Sequence, residues 1–136
     1  MIAFFDANAL IYLIEAKAPF VSKVRESLSG LARKHPNMRL AVSRLTWLEC
    51  RVGPMKNNDN ETLAVYDAFF SRADIQWIEL TRDVVELAAA IRAKHGLRTP
   101  DALQAACCLQ LGASHVFLSG DKTFERVAGL NVKLLA

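Results

Sequence analysis

Ile2-Ala3-Phe4-Phe5-Asp6-Ala7-Asn8-Ala9-Leu10-Ile11 is the stretch on which the fold turns. Ile2 to Phe5 is an unbroken apolar run rather than an alternating one, the pattern of a strand covered on both faces in a parallel sheet. Asp6 stops the run. From Asn8 to Ala16 the apolar residues Leu10, Ile11, Leu13 and Ile14 fall at helical spacing. A buried strand that passes straight into a helix through one acid is the opening of a βα unit.

The same alternation continues down the chain. Pro19 opens a second predicted helix that runs to about Lys34 and stops at His35-Pro36-Asn37. Arg39 to Ser43 reads as strand two. Leu45, Leu48 and Val52 then predict a helix broken at Gly53-Pro54, followed by a polar loop from Lys56 to Asn60. Glu61 to Arg72 reads as helix, Ile75 to Leu80 as strand, and Thr81 caps a helix from Arg82 to His95 that closes at Gly96. Thr99 as N-cap, Pro100 and Asp101 open the next helix, which ends at Gly112. His115 to Ser119 is strand four, Asp121 to Val127 a short helix and Leu130 to Leu135 the fifth strand. Strands alternating with helices predict an α/β three-layer sandwich, a mostly parallel sheet of about five strands with helices on both faces. Residues 1–136 make one domain, since typical domains hold roughly 100 to 150 residues.

With 52% hydrophobic and 23% charged residues the chain is far from a disordered composition, so a packed core is expected. Seventeen Lys and Arg against fourteen Asp and Glu give a formal charge of +3, which permits a polyanionic partner without demanding one. The basic residues are scattered, and any phosphate-binding face must be assembled by folding. The three cysteines Cys50, Cys107 and Cys108 show no C-x-x-C spacing and read as small buried hydrophobes. The first residues lack a basic leader, and no run approaches the roughly 18 apolar residues of a membrane span, so no membrane partner and a cytoplasmic location are expected.

In open parallel sheets ligands bind beyond the carboxyl ends of the strands. Four acids fall there: Asp6 after strand one, Glu49 on the helix after strand two, Asp101 in the first turn of its helix, and Asp121 two residues past strand four. Each also has a plain structural role open to it. Asp6 and Asn8, like Asp121, can cap helices, Asp101 completes an ordinary helix start, and Glu49 can be a solvated surface acid. Together they say more, because converging carboxylates repel by roughly 4 kcal/mol per pair at 4 Å and an effective dielectric of 20. A cation relieves that, and an all-oxygen donor set suits Mg²⁺ or Mn²⁺ rather than zinc. Such a cluster activates water and stabilises charge on a phosphate, which is the chemistry of phosphodiester hydrolysis. His35, His95 and His115 lack a catalytic pattern. Trp47 and Trp77 occupy apolar positions where core packing outweighs stacking on bases.

Four segments carry a family resemblance: Phe5-Asp6-Ala7-Asn8-Ala9-Leu10-Ile11-Tyr12, Ser43-Arg44-Leu45-Thr46-Trp47-Leu48-Glu49, Thr99-Pro100-Asp101-Ala102-Leu103-Gln104-Ala105-Ala106 and Phe117-Leu118-Ser119-Gly120-Asp121-Lys122-Thr123-Phe124. In order and spacing they resemble the PIN-domain family, and within it the VapC-type toxins. The resemblance implies an endoribonuclease in which Asp6, Glu49, Asp101 and Asp121 bind Mg²⁺ or Mn²⁺, with Asn8, Ser43 and Ser119 orienting those carboxylates. It also implies an RNA substrate, a homodimer, and a cognate antitoxin that blocks the acidic cleft through a basic side chain. Gly120 stands where relatives often carry a polar residue, and Gln104 where they often carry His.

Three rivals follow from the same residues. An aspartyl-phosphate enzyme would use Asp6 as nucleophile, but Asp6-Ala7-Asn8 lacks a second acid two residues on. A PIN-type RNA-processing nuclease without an antitoxin, and a catalytically silent RNA- or protein-binding module, are the other two.

Overall fold

A computed structural model of the chain describes residues 1–112 and 114–135. Five strands, β1 (Ile2–Phe5), β2 (Arg39–Ser43), β3 (Ile75–Ile78), β4 (His115–Ser119) and β5 (Val132–Leu134), form one parallel sheet in the order β3-β2-β1-β4-β5. The chain steps outward from β1 to β2 to β3, then returns to the other side of β1 for β4 and β5. That reversal places a topological switch point between β1 and β4.

The register explains the two-sided core. Phe4 lies beside Ala41 and Phe117, while Phe5 lies beside Val42 and Leu118. Because side chains alternate along a strand, the first set faces one layer and the second the other. Phe4, Ala41 and Phe117 pack with α5 (Arg82–His95) and α6 (Thr99–Leu109), and the Phe4 and Phe117 rings stack at 5.4 Å. Phe5, Val42 and Leu118 pack with α1 (Ala7–Ile14), α2 (Phe20–Lys34), α3 (Arg44–Lys56) and α4 (Asn60–Phe70). The expected sandwich, with helices on both faces, is what the chain forms.

Several local expectations need correction. Gly53-Pro54 does not break α3, which continues to Lys56. A proline in the last turn removes only the hydrogen bond to the carbonyl four residues back, and burial of the Pro54 ring offsets that loss. The polar loop shrinks to residues 57–59, because Asp59 caps α4 by accepting from the Thr62 amide at 3.1 Å. Thr99 is not the cap of α6; Arg98, extended at φ −67° and ψ 157°, takes that place, and Thr99 and Pro100 lie in the first turn. The expected short helix after β4 is a 3-10 helix, Lys122–Arg126. Trp77 is half-buried with its ring 5.3 Å from that of Phe70, but Trp47 is 37% exposed, carrying the Arg51 guanidinium 5.0 Å from its ring. The Trp47 position lies on the flank of α3 away from the sheet, so it does not join the core.

Cys50, Cys107 and Cys108 are free and buried, as expected. Among the described residues no helix is long and apolar enough to cross a membrane.

Candidate active site

Asp6 is the residue after β1, only 5% exposed. Its backbone N–H donates to the Leu118 carbonyl at 3.2 Å, tying it to β4, and its Oδ1 accepts from the Ala9 amide at 2.8 Å as the N-cap of α1. The capping role and a chemical role therefore coincide. Burial pushes the carboxyl up to about 6; hydrogen bonds from Ser119 and Ala9 pull it down, and the Asp101 and Glu49 charges raise it further.

Ser119 ends β4 fully buried, beside Asp6 across the switch point. Its hydroxyl lies near enough to the Asp6 carboxylate to favour the charged form, and its Oγ accepts from the Asp121 amide at 2.9 Å. Asp121 in turn caps the 3-10 helix, its Oδ1 accepting from the Thr123 amide at 2.9 Å and the Thr123 hydroxyl at 2.8 Å. One hydroxyl thus links two of the four acids.

Glu49 and Asp101 come from the helices on opposite faces of the sheet. Both are held above the ordinary carboxylate range, first by partial burial; Asp101 raises Glu49, and Asp121 raises Asp101. Arg98 opposes this on both, with its Nε 3.6 Å from Asp101 Oδ2. The repulsions run from Asp6 to Asp101 and Glu49, from Asp101 to Glu49, and from Asp121 to Asp101, so the four acids form one electrostatic set.

Gln104 is the residue that sequence reasoning missed as a site component. It is 2% exposed on α6. Its Oε1 accepts from Ser43 Oγ at 2.8 Å, and its Nε2 donates to Thr46 Oγ1 at 2.9 Å and to Glu49 Oε1 at 3.2 Å. Ser43 also caps α3, accepting from the Thr46 amide at 3.1 Å. One amide therefore fixes the end of β2, the start of α3 and the Glu49 carboxylate together. The available signal was a lone amide among Ala and Leu, three residues past Asp101 and on the adjacent helical turn.

Asn8 is exposed in the first turn of α1 and has no hydrogen-bond partner among the described residues. Gly120 fits its place sterically: a Cβ there would lie 3.3 Å from the Tyr12 hydroxyl, whose ring stacks on Phe20 at 4.6 Å. His35 caps the C-terminus of α2, His115 begins β4 at the end of the strand opposite Ser119, and His95 ends α5.

Among the described residues, no three His, Cys, Asp or Glu side chains stand at spacing that would hold a metal ion. The donor chemistry nonetheless fits a hard divalent cation, since Asp6, Glu49 and Asp101 repel one another, Asp121 repels Asp101, and all four offer only oxygen atoms. Glu49 Oε2 carries no hydrogen bond among the described residues. Ligation requires the acids to draw together.

The family profile described as PIN domain matches residues 3–130. No curated protein sequence matches. Among solved structures the chain is similar to VapBC2 from Rickettsia felis bound to a promoter DNA fragment, with TM-score 0.77, 18% identity and 98% of each chain covered. DNA-bound VapBC from Salmonella typhimurium gives TM-score 0.76 and 21% identity over 100% of this chain and 99% of that one. VapBC-1 from nontypeable Haemophilus influenzae gives 0.74 and 22% over 99% and 98%.

Proposed function

From the premise that the chain belongs to the PIN-domain family, we propose that it is a Mg²⁺- or Mn²⁺-dependent endoribonuclease and the toxin of a toxin–antitoxin pair. The observation that carries this reading is the electrostatic set of four carboxylates at the carboxyl edge of the sheet, gathered from four separate elements around the switch point. Asp6 and Asp121 also cap helices, but capping does not require the four acids to lie within reach of one another's charge.

Asp6, Glu49, Asp101 and Asp121 would hold the cation. When bound, it supplies a more acidic water and a counter-charge for the phosphate being cleaved. The chain's own contribution is positioning. Ser119 and the start of α1 orient Asp6, Gln104 fixes one oxygen of Glu49 and leaves the other open, and Thr123 turns Asp121. Gln104 takes the place of the histidine frequent in relatives, and it serves as a hydrogen-bond bracket with no proton to exchange.

The antitoxin half of the proposal is supported by the solved relatives, which are named as VapBC, and in one case from Klebsiella pneumoniae as a toxin-antitoxin complex with TM-score 0.68. A homodimer and a cytoplasmic location belong to the same proposal.

The test is cleavage of a mixed pool of structured RNAs by purified protein with Mg²⁺ or Mn²⁺, beside EDTA and the Asp101→Asn variant. Metal-dependent cuts that vanish in both controls are expected, and growth arrest on expression that the same variant relieves. Cuts that persist in Asp101→Asn, or the absence of cuts on every RNA, would overturn the nuclease reading.

A further inference from the structure

Arg98 is the cation that the acidic cluster already has. It caps α6 by its backbone alone, with no side-chain capping bond, so its guanidinium is free to serve another purpose. That group lies 3.6 Å from Asp101 Oδ2, and its charge also reaches Glu49. It is 83% exposed, while the Asp101 side chain is 21% exposed. An exposed positive charge thus rests against a largely buried negative one at the mouth of the site.

The other ion-paired arginines are committed elsewhere. Arg44 is bidentate on Glu79 and lies 4.1 Å over the Trp77 ring, Arg51 pairs with Asp67, Arg72 with Asp74 and Arg82 with Glu86. Among the described residues, Arg98 alone pairs with a member of the quartet.

Resting on the nuclease reading, we propose that Arg98 is an exchangeable counter-charge: it neutralises Asp101 and Glu49 before the divalent cation arrives, is displaced by it, and then binds a phosphate of the RNA. A divalent cation on the same carboxylate repels the guanidinium and weakens its hold on Asp101, so cation entry drives the guanidinium outward. Its planar fork suits a phosphate oxygen pair, and its exposure lets it reach one. The site therefore gains its RNA-binding charge only when it is loaded.

Two opposite effects in one variant test this. Arg98→Gln removes the charge and keeps the backbone cap, and the fold is checked by its melting temperature. Mn²⁺ affinity measured by calorimetry without RNA is expected to tighten about two- to fivefold, the scale of an exposed ion pair that no longer competes. At saturating Mn²⁺, KM for RNA is expected to rise about tenfold, the scale of a lost hydrogen bond to a charged group, with kcat little changed. Its salt dependence should fall by about one released counterion. Arg98→Lys should restore the weaker metal binding and only part of the KM. Unchanged or weaker Mn²⁺ binding in Arg98→Gln overturns the inference, as does an unchanged KM, while leaving the nuclease reading intact. Failure of the wild-type protein to bind Mn²⁺ at all overturns both.

Discussion

Replacing Asp6 by Asn should stabilise the metal-free protein at neutral pH, and the gain should depend on pH in a specific way. Burial holds the Asp6 carboxyl at about 6 in the folded chain, against 3.8 for an ordinary Asp. The gap is roughly two pH units, and each unit is worth about 1.4 kcal/mol, so keeping Asp6 ionised at pH 7 costs the fold about 3 kcal/mol. Asn keeps the Oδ1 that accepts from Ala9 and so preserves the helix cap. Its amide adds a donor that needs a partner, which can remove about 1 kcal/mol or more of the gain. The net expectation is a variant more stable by roughly 1–3 kcal/mol at pH 7. The sign follows from linkage. A folded-state value above the unfolded one means the penalty is absent below pH 4, grows as pH rises through about 6, and is complete at neutral pH. Urea unfolding of both proteins in EDTA at intervals from pH 4 to 7.5 measures it. A gap that widens from near zero to its full value supports the reasoning. Equal stabilities at pH 7, or a gap constant across the range, refute it.

Gln104→Ala should destabilise by about 2–4 kcal/mol in chemical denaturation, since it opens a cavity and strips the buried Ser43 and Thr46 hydroxyls of a partner; a loss below 0.5 kcal/mol would mean the amide is dispensable. Mn²⁺ at a hundred times its dissociation constant should add about 2.7 kcal/mol, or about 9 °C in Tm for a chain of 136 residues, and a Tm that does not move speaks against binding to the folded state. Tyr66→Phe should cost about 1 kcal/mol through loss of its 2.6 Å bond to Glu15, read from the same denaturation curves. The thiols of Cys50, Cys107 and Cys108, all buried and with Cys107 pushed up to about 12, should resist a disulfide reagent at pH 8 until denaturant is added; fast labelling of the native protein would contradict their placement.

The strands were readable because parallel sheets demand unbroken apolar runs, and Ile2 to Phe5 and Val116 to Leu118 display them at the places where the chain puts β1 and β4. Asp6 and Asp121 stood out for a related reason, since the carboxyl end of a strand is a position in the sequence as well as in space, whereas Glu49 and Asp101 lie on helices and stood out only in conjunction with the other two. What the sequence hid depends on which way a side chain points or how a loss is offset. Pro54 announces a helix break by its own chemistry, yet its place one turn from the end of α3 and its burial decide the matter. Trp47 and Trp77 look alike on apolar segments, but helical phase turns Trp47 outward. Gln104 meets Ser43, 61 residues away, a pairing that no local pattern encodes. Arg98 passed as one of many scattered basic residues, although its place three residues before Asp101 at the start of one helix is a local signal of their contact.

The reversal of strand order has a consequence for synthesis on the ribosome. β1 is made well before its neighbour β4, which begins more than a hundred residues later, at His115. Asp6 cannot take its place beside Ser119 until the residues through β4 have emerged, because parallel pairing over such a separation must wait for its partner. A nascent or truncated chain therefore carries Asp6 and Glu49 without the residues that complete their set. The site comes together only after β4 is made, so a chain that is the nuclease proposed above would stay unarmed beside ribosomal RNA until then.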